Sequence, residues 1–591
     1  MGVIEQRIED ITRGTRLGDG QVRRRRRGGW RAVPGLVVLA LALAGGPVAA
    51  ADLAPEHARV PAARPAEVPP PPPATREIAR RVGLSGSVGW MVRDLDTGAV
   101  LDASSPTARF VPASVAKLPT AAFALDRLGA THRFRTTVLA RGRQNGGRLD
   151  GDLVLVGGGD PELDSDAMAD LAAAVVGAGL AEATGGVVAD PGPFPTIPAI
   201  EPNQPADAAY NPGVSGLTLN FNRVRVEWPR GGATISVRAQ ALAHRPETTA
   251  VRVTAVQGLG HGLVPAEGPG SSRVAGMTLP LPQPGLVPAE RWLIDRRAMR
   301  RAGGRWLPVR RPGLYAGEVM AGLMAARGLE MGAAPRLEPG AATRGGRVVA
   351  ERASRPLHEV LRAMLWHSTN VSAELMGLAA GRAGRVPETA APGSLFAVAR
   401  RTGEPAGDRA ERRRLAASAG EMNAWAAGRA GFAPGDPGFA FANHSGLSVA
   451  SRVSPERMVD LLAALAPEAG LVRAPRSAGG GPLPHGRGGA GIAALLRPHN
   501  IAIRNDGLDH ANLAVVAKTG TMAFVRGLSG YVVTPGGRRL AFAYFANDLE
   551  RRAGTRRGSK TWMARARGLE RSLLREWVRM ADGADDPASP G

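Results

Sequence analysis

Near the carboxyl end an apolar run, Ala514-Val515-Val516-Ala517, ends in Lys518-Thr519-Gly520-Thr521. Apolar residues on consecutive positions read as a buried strand, and the small and polar residues after them read as its exposed edge. Arg526-Gly527-Leu528-Ser529-Gly530-Tyr531-Val532-Val533 follows as a second strand, placed to pair with the first as a hairpin. A buried hairpin needs a sizeable core around it, and 591 residues are enough to build one. No cysteine is present, so a disulfide scaffold, a cysteine zinc site, a thiol nucleophile and an iron–sulfur cluster are excluded. With 44% hydrophobic and 21% charged residues, the chain is too apolar for disorder and too mixed for a multi-span membrane protein.

The lysine on that first strand stands out against its background. Of 75 basic residues only Lys117, Lys518 and Lys560 are lysine, which leaves 72 arginines. Arginine stays protonated, whereas burial can turn lysine into a neutral base. A surviving lysine is therefore a candidate for chemistry that arginine cannot do. Lys560 is read as an accidental survivor. The net charge of +23 invites a nucleic-acid reading, but the basic residues are scattered and aromatic residues make up only 4%. A solvated arginine surface accounts for the charge better, and no nucleic-acid partner is expected.

Lys117 lies in Phe110-Val111-Pro112-Ala113-Ser114-Val115-Ala116-Lys117, just before an apolar-periodic stretch to Leu128. A helix start at Ser114 puts Lys117 on the same face, beside the serine hydroxyl. An alcohol needs an adjacent base to become a nucleophile. An ordinary helix start with a serine cap is the other reading. Pro119 disfavours helix at Leu118, so the first turn is expected to be tight or irregular. Trp366-His367-Ser368-Thr369-Asn370 follows a helical run, Leu357 to Leu365. Ser368 and Asn370 can project from a short loop into one cleft, as a proton relay and an orienting amide. Read alone, that pentapeptide is a weak signal, and a plain loop is its favoured reading. At Lys518-Thr519-Gly520, the lysine supplies a fixed cation for an anionic substrate end, and the glycine lets a substrate backbone approach. Upstream of all three, Val88 to Val100 reads as a hairpin turning at Asp94-Leu95-Asp96-Thr97-Gly98.

The order S-x-x-K, S-x-N, K-T-G is the active-serine signature of penicillin-binding proteins and serine β-lactamases. Ser368 lies 254 residues after Ser114, and Lys518 lies 150 after Ser368. The first gap is too long for a compact β-lactamase and implies a large insertion. At this spacing the chain resembles the D-alanyl-D-alanine carboxypeptidase/endopeptidase family of class C, low-molecular-mass penicillin-binding proteins, the S13 peptidase type. Leu153-to-Pro161 with its Gly157-Gly158-Gly159-Asp160 turn, Asn220-Phe221-Asn222-Arg223-Val224, and His444-Ser445-Gly446-Leu447-Ser448 with Arg452-Val453-Ser454-Pro455 resemble it too. There are departures: Thr369 stands where Asp is common. Val449 stands where members preferring diaminopimelate often have Arg, with Arg452 nearby as a substitute.

The resemblance implies an α+β fold: a catalytic domain with an antiparallel sheet flanked by helices, plus a large, mainly β insertion. It implies acyl transfer on peptidoglycan stem peptides, with Ser114 as nucleophile, Lys117 as base, Ser368 as relay and Asn370 as the orienting amide. Lys518, Thr519, Gly520 and Thr521 would bind substrate, and Asp160 would bind the amine of a peptide side chain, unless it is simply a turn aspartate. β-Lactams would be covalent inhibitors. No metal or cofactor is expected, and no H-E-x-x-H or comparable zinc spacing occurs. A β-lactamase-like hydrolase and a non-catalytic β-lactam- or wall-binding protein are the other classes.

The expected organisation is a signal peptide over 1–51, a Pro/Ala-rich linker over 52–78 and a catalytic domain in two parts, 79–136 and 345–581. The insertion would span 137–344 and a disordered tail 582–591. The signal reading rests on the run Arg23–Arg27, the apolar stretch Ala32–Ala44 and Ala49-Ala50-Ala51 before Asp52. It implies export to the periplasm or the outer side of the cytoplasmic membrane, with an uncleaved anchor as runner-up. In the linker, Pro69 to Pro73 reads as stiff, extended chain outside any helix. The last helical pattern carries Trp562, Ala566, Leu569, Leu573, Trp577 and Met580 on one side, with Arg565, Arg571, Arg575 and Arg579 elsewhere. Packing on the sheet is the favoured reading, and peripheral membrane association the other.

Overall fold

The structure is a computed structural model. It describes residues 71–231, 234–259, 263–266, 289–383, 408–469, 471, 491–501, 513–554 and 557–583. Met1–Pro65 separates from Ala66–Gly591 as its own unit and lies outside the described residues, and with it the expected signal peptide. The tail from 584 onward also lies outside them.

The expected hairpin is present. Ala514–Met522 pairs antiparallel with Val525–Val533, with Lys518 opposite Ser529. The sheet has six strands in the spatial order Arg497–Pro498, Ala514–Met522, Val525–Val533, Arg539–Asn547, Ser87–Asp94 and Val100–Ser104, all neighbours antiparallel. The amino-terminal hairpin turns after Asp94 as its sequence predicts, and its second strand continues past Val100 to Ser104.

Alternation along these strands splits the core in two. Met91, Val516, Tyr531, Ala543 and Phe545 face one cluster with residues of helices Lys117–Leu128, Leu357–His367, Asn370–Ala383, Asp408–Ala430 and Pro455–Leu465. Trp90, Val92, Val515, Leu528, Val532, Phe542 and Tyr544 face the other, against the carboxyl-terminal helix Ser559–Asp582. That helix buries Trp562, Ala566, Leu569, Leu573 and Trp577, so its apolar side is taken up by the sheet. Asp102 is buried between two indoles: Trp90 and Trp577 donate to Oδ2 at 2.8 and 2.7 Å, tying the helix to the sheet. Among the described residues, no helix is long and apolar enough to cross a membrane.

One sequence expectation needs correcting. The proline run does not stay outside regular structure, because Pro73 opens a helix, Pro73–Val82, that covers residues 73–78 of the expected linker. Proline at the first helical position removes a donor that has no partner there anyway, and its fixed φ suits the turn. The Ile78, Ala79 and Val82 side chains pack on the same cluster as the carboxyl-terminal helix.

Between Arg135 and Ala353 the chain builds a second, seven-stranded sheet around the long hairpin Arg135–Asn145 and Arg148–Val156. Helices Ser165–Gly177 and Pro312–Ala325 pack against it with a core of their own. Phe194, Ile197, Ile200 and Val214 from this region belong instead to the core beneath the first sheet. Residues 193–214 thus form a strap from the second sheet onto the helices of the first.

Candidate active site

Ser114 sits in a 3-10 turn, Ala113–Ala116, and the α-helix begins only at Lys117. The tight first turn expected from Pro119 is therefore present. Two glycines press on this turn. A Cβ on Gly446 would stand 1.9 Å from the Ala113 oxygen, and one on Gly520 would stand 2.2 Å from the Pro112 oxygen. The nucleophile's own segment thus demands glycine at 520, whatever a substrate backbone would also require there.

Lys117 is fully buried. Its Nζ lies 2.9 Å from Ser114 Oγ, 2.7 Å from Asn370 Oδ1 and 2.8 Å from the Ser445 carbonyl oxygen. Burial pulls its pKa down to about 7, against an opposing pull from the negative charge of Glu374. The amine is thus poised between its neutral and charged forms near physiological pH.

The second motif lies at a helix junction. Helix Leu357–His367 ends at Ser368 in the left-handed region, φ 58°, and the next helix starts at Asn370. This sharp turn presents both side chains to the cleft, while the Thr369 hydroxyl bonds Ser372 Oγ at 2.8 Å. Asn370 is held at both ends: Oδ1 accepts from Lys117, and Nδ2 donates to the Tyr210 carbonyl of the strap at 2.8 Å.

Lys518 is buried on its strand and donates to Ser368 Oγ at 3.1 Å and to the Thr519 carbonyl at 3.0 Å. Thr519 is half-buried and Thr521 exposed at the strand's edge. Thr521 Oγ1 accepts from Arg526 Nη1 at 3.2 Å, and Arg526 forms a buried, two-pronged ion pair with Glu570 at 2.6 Å per bond. The structure therefore brings Ser114, Lys117, Ser368, Asn370 and Lys518 into one cleft, with Thr519, Gly520 and Thr521 along its edge.

Asp160 is not joined to this group. It is buried in its glycine-rich turn, where Oδ1 accepts from the Glu162 N–H at 2.9 Å. Burial raises its pKa to about 6. Arg452 is tied to its own loop through the Val449 and Ser451 carbonyls. Three participants escaped the sequence reading. The carbonyls of Ser445 and Tyr210 are main-chain groups that no residue type announces. Glu374 is fully buried on the Asn370 helix and accepts from the His444 and Ser445 N–H groups at 3.1 and 3.0 Å. An acidic residue in a helical run is ordinarily solvated.

Comparisons with known proteins bear on the family and the fold. The chain is 28% identical over 483 residues to the D-alanyl-D-alanine carboxypeptidase of Actinomadura sp. (strain R39), covering 78% of each protein. Penicillin binding protein 4 (dacB) from Haemophilus influenzae superposes with a TM-score of 0.57 at 18% identity, covering 85% of this chain and 99% of that one. The same protein complexed with a novel β-lactam gives 0.55 at 17% identity over the same shares. These likenesses show the fold. A family profile described as D-Ala-D-Ala carboxypeptidase 3 (S13) matches residues 77–260, 298–407 and 501–566. With the profile matching more than half of its length, and with the three motifs gathered in one cleft, the chain belongs to the D-Ala-D-Ala carboxypeptidase 3 (S13) family.

Proposed function

We propose that the protein is a serine D-Ala-D-Ala carboxypeptidase/endopeptidase that cleaves peptidoglycan stem peptides through an acyl-enzyme on Ser114, and that β-lactams acylate the same serine. The observation that carries this reading is the surroundings of Lys117 Nζ. A neutral amine has two hydrogens and one lone pair. Asn370 Oδ1 and the Ser445 carbonyl take the hydrogens, which leaves the lone pair for the Ser114 hydroxyl. Lys117 takes the hydroxyl proton as Ser114 Oγ bonds to the carbonyl carbon of the penultimate D-Ala. The N–H groups of Ser114 and Thr521 would hold the oxyanion, each worth about 3 kcal/mol in comparable sites.

As the C–N bond breaks, the proton passes from Lys117 through Ser368 to the leaving amine. Lys518 and Thr519 hold the terminal carboxylate. Water then attacks the ester, releases the shortened peptide and restores the Ser114 hydroxyl. In the test, fluorescent penicillin labels the protein and mass spectrometry maps the adduct. The expected adduct is on Ser114 and is absent from Ser114→Ala. A label on another serine overturns the assignment. Rapid release of the adduct would favour the β-lactamase-like reading.

We also propose that the protein works outside the cytoplasmic membrane, on the strength of the arginine run, the apolar stretch and the Ala49-Ala50-Ala51 site. Amino-terminal sequencing of envelope material should find a start near Asp52, and an intact Met1 in the cytosol would refute this.

A further inference from the structure

We propose that Glu374 is a positioning residue for the acylation step, holding the His444–Ser445 turn so that the Ser445 carbonyl keeps Lys117 aligned on Ser114. The proposal rests on Lys117 being the base, as argued above.

Glu374 lies one turn along the helix from Asn370 and is fully buried. Its two carboxylate oxygens take separate bonds: Oε2 from the His444 N–H and Oε1 from the Ser445 N–H. The Ser445 hydroxyl adds a third donor. Burial raises the Glu374 pKa above the ordinary carboxylate value, while these donors and the Lys117 charge pull it back; donors on both oxygens are the pattern that suits its ionised form. The turn it holds is also fixed from the other side. Thr120 Oγ1 donates to the His444 carbonyl at 2.9 Å, and Gly446 lies against Ala113 with φ 72°. The carbonyl between these anchors belongs to Ser445, and Lys117 donates to it at 2.8 Å. One carboxylate thereby fixes an acceptor for the base and sets a negative charge near it.

Among the described residues, the other charged groups around this site are few. Lys518 faces the cleft from the neighbouring strand and bonds Ser368. The His444 ring is buried with its pKa held down to about 3, so it stays neutral through the working range. Glu421, on helix Asp408–Ala430, sits beside Gly381, two turns further along the Glu374 helix. Glu374 is therefore the carboxylate whose removal acts on Lys117.

Glu374→Gln keeps the size, but its NH2 end cannot accept from an N–H. Two effects should follow together. The turn loses one anchor, and the plateau acylation rate falls on the order of 10- to 100-fold. The protonated amine loses its anion, so the acid limb of the rate–pH profile moves down by about one unit or more. A residue that served only the core would lower the rate without moving the limb.

The experiment measures the second-order acylation rate with fluorescent penicillin from pH 5 to 10 for wild type, Glu374→Gln, Glu374→Asp and Lys117→Arg, with thermal melts of each. A limb at the wild-type pH, or a plateau within twofold of wild type, overturns the proposal. If the Gln variant does not fold, Glu374→Asp carries the test. Its charge remains but retreats by a methylene, so the plateau should drop several-fold while the limb stays in place; an unchanged plateau overturns the proposal. Lys117→Arg separates the two levels of argument: a near-wild-type rate there removes the base assignment itself, whereas an inactive Lys117→Arg beside an unaltered Glu374→Gln removes only the role of Glu374.

Discussion

The insertion and the catalytic side each withdraw a base from solvent, and the two bases behave differently. Arg223, at the start of strand Arg223–Trp228 in the insertion, is half-buried with its guanidinium over the Phe221 and Trp306 rings, at 5.3 and 5.4 Å from their centres. Burial lowers its pKa only to about 10, so it remains a cation held by aromatic faces. Lys117, beside the catalytic sheet, is fully buried and comes down to about 7. The same desolvation makes a structural cation of an arginine and a usable base of a lysine. None of the three lysines falls within residues 137–344, and both cleft lysines lie on the catalytic side. Lysine is retained where a proton has to move or a compact charge has to fit.

The largest expected effect comes from erasing that difference at its centre. Lys117→Arg keeps the charge and removes the neutral form, which should lower the acylation rate on the order of 10²–10⁴-fold. In the wild type the working form is the neutral amine. The rate should therefore fall as pH drops through about 7, approaching tenfold per unit below it. A near-wild-type rate for Lys117→Arg would end the comparison. Next in size is the buried Arg526–Glu570 pair, each side chain 7% exposed. Glu570→Ala leaves a buried cation uncompensated and should cost about 3–5 kcal/mol in a denaturant titration. Lys518→Arg comes third. It can still meet a carboxylate, though with a wider head, so a loss of roughly tenfold is expected, partly in substrate affinity. The smallest effect belongs to the insertion's surface. Glu247, whose side chain is 73% exposed, pairs with Arg238 at 3.3 Å, and Glu247→Ala should change stability by no more than about 1 kcal/mol. A loss there as large as that of Glu570→Ala would mean that the two regions do not differ in how they use charge.

The catalytic half was legible in the sequence wherever a local pattern carried the information. Ala514–Met522 announced itself by its apolar run, the 3-10 turn at Ser114 by Pro119, and the last helix by its spacing from Trp562 to Trp577. Pro73 was misread because a proline run signals extended chain, yet a single proline also fits a helix's first position. Gly520 reads as a close-approach glycine, but its own sequence does not disclose that one segment packed on it is 408 residues away, at Pro112. Glu374 was missed for a similar reason. Its helix, apolar and small on every side from Val371 to Gly381, does point to burial, but the partners that make sense of a buried carboxylate are two N–H groups 70 and 71 residues away.

The bond from Asn370 Nδ2 to the Tyr210 carbonyl bears on how this protein can vary. Every amino acid carries a carbonyl, so replacing the Tyr210 side chain leaves the acceptor present. Gaining or losing a residue between Glu201 and Asn211, a loop closed by the bonds between those two residues, displaces it. The function of this part of the insertion is therefore expected to tolerate a change of side chain at 210 better than a change in loop length.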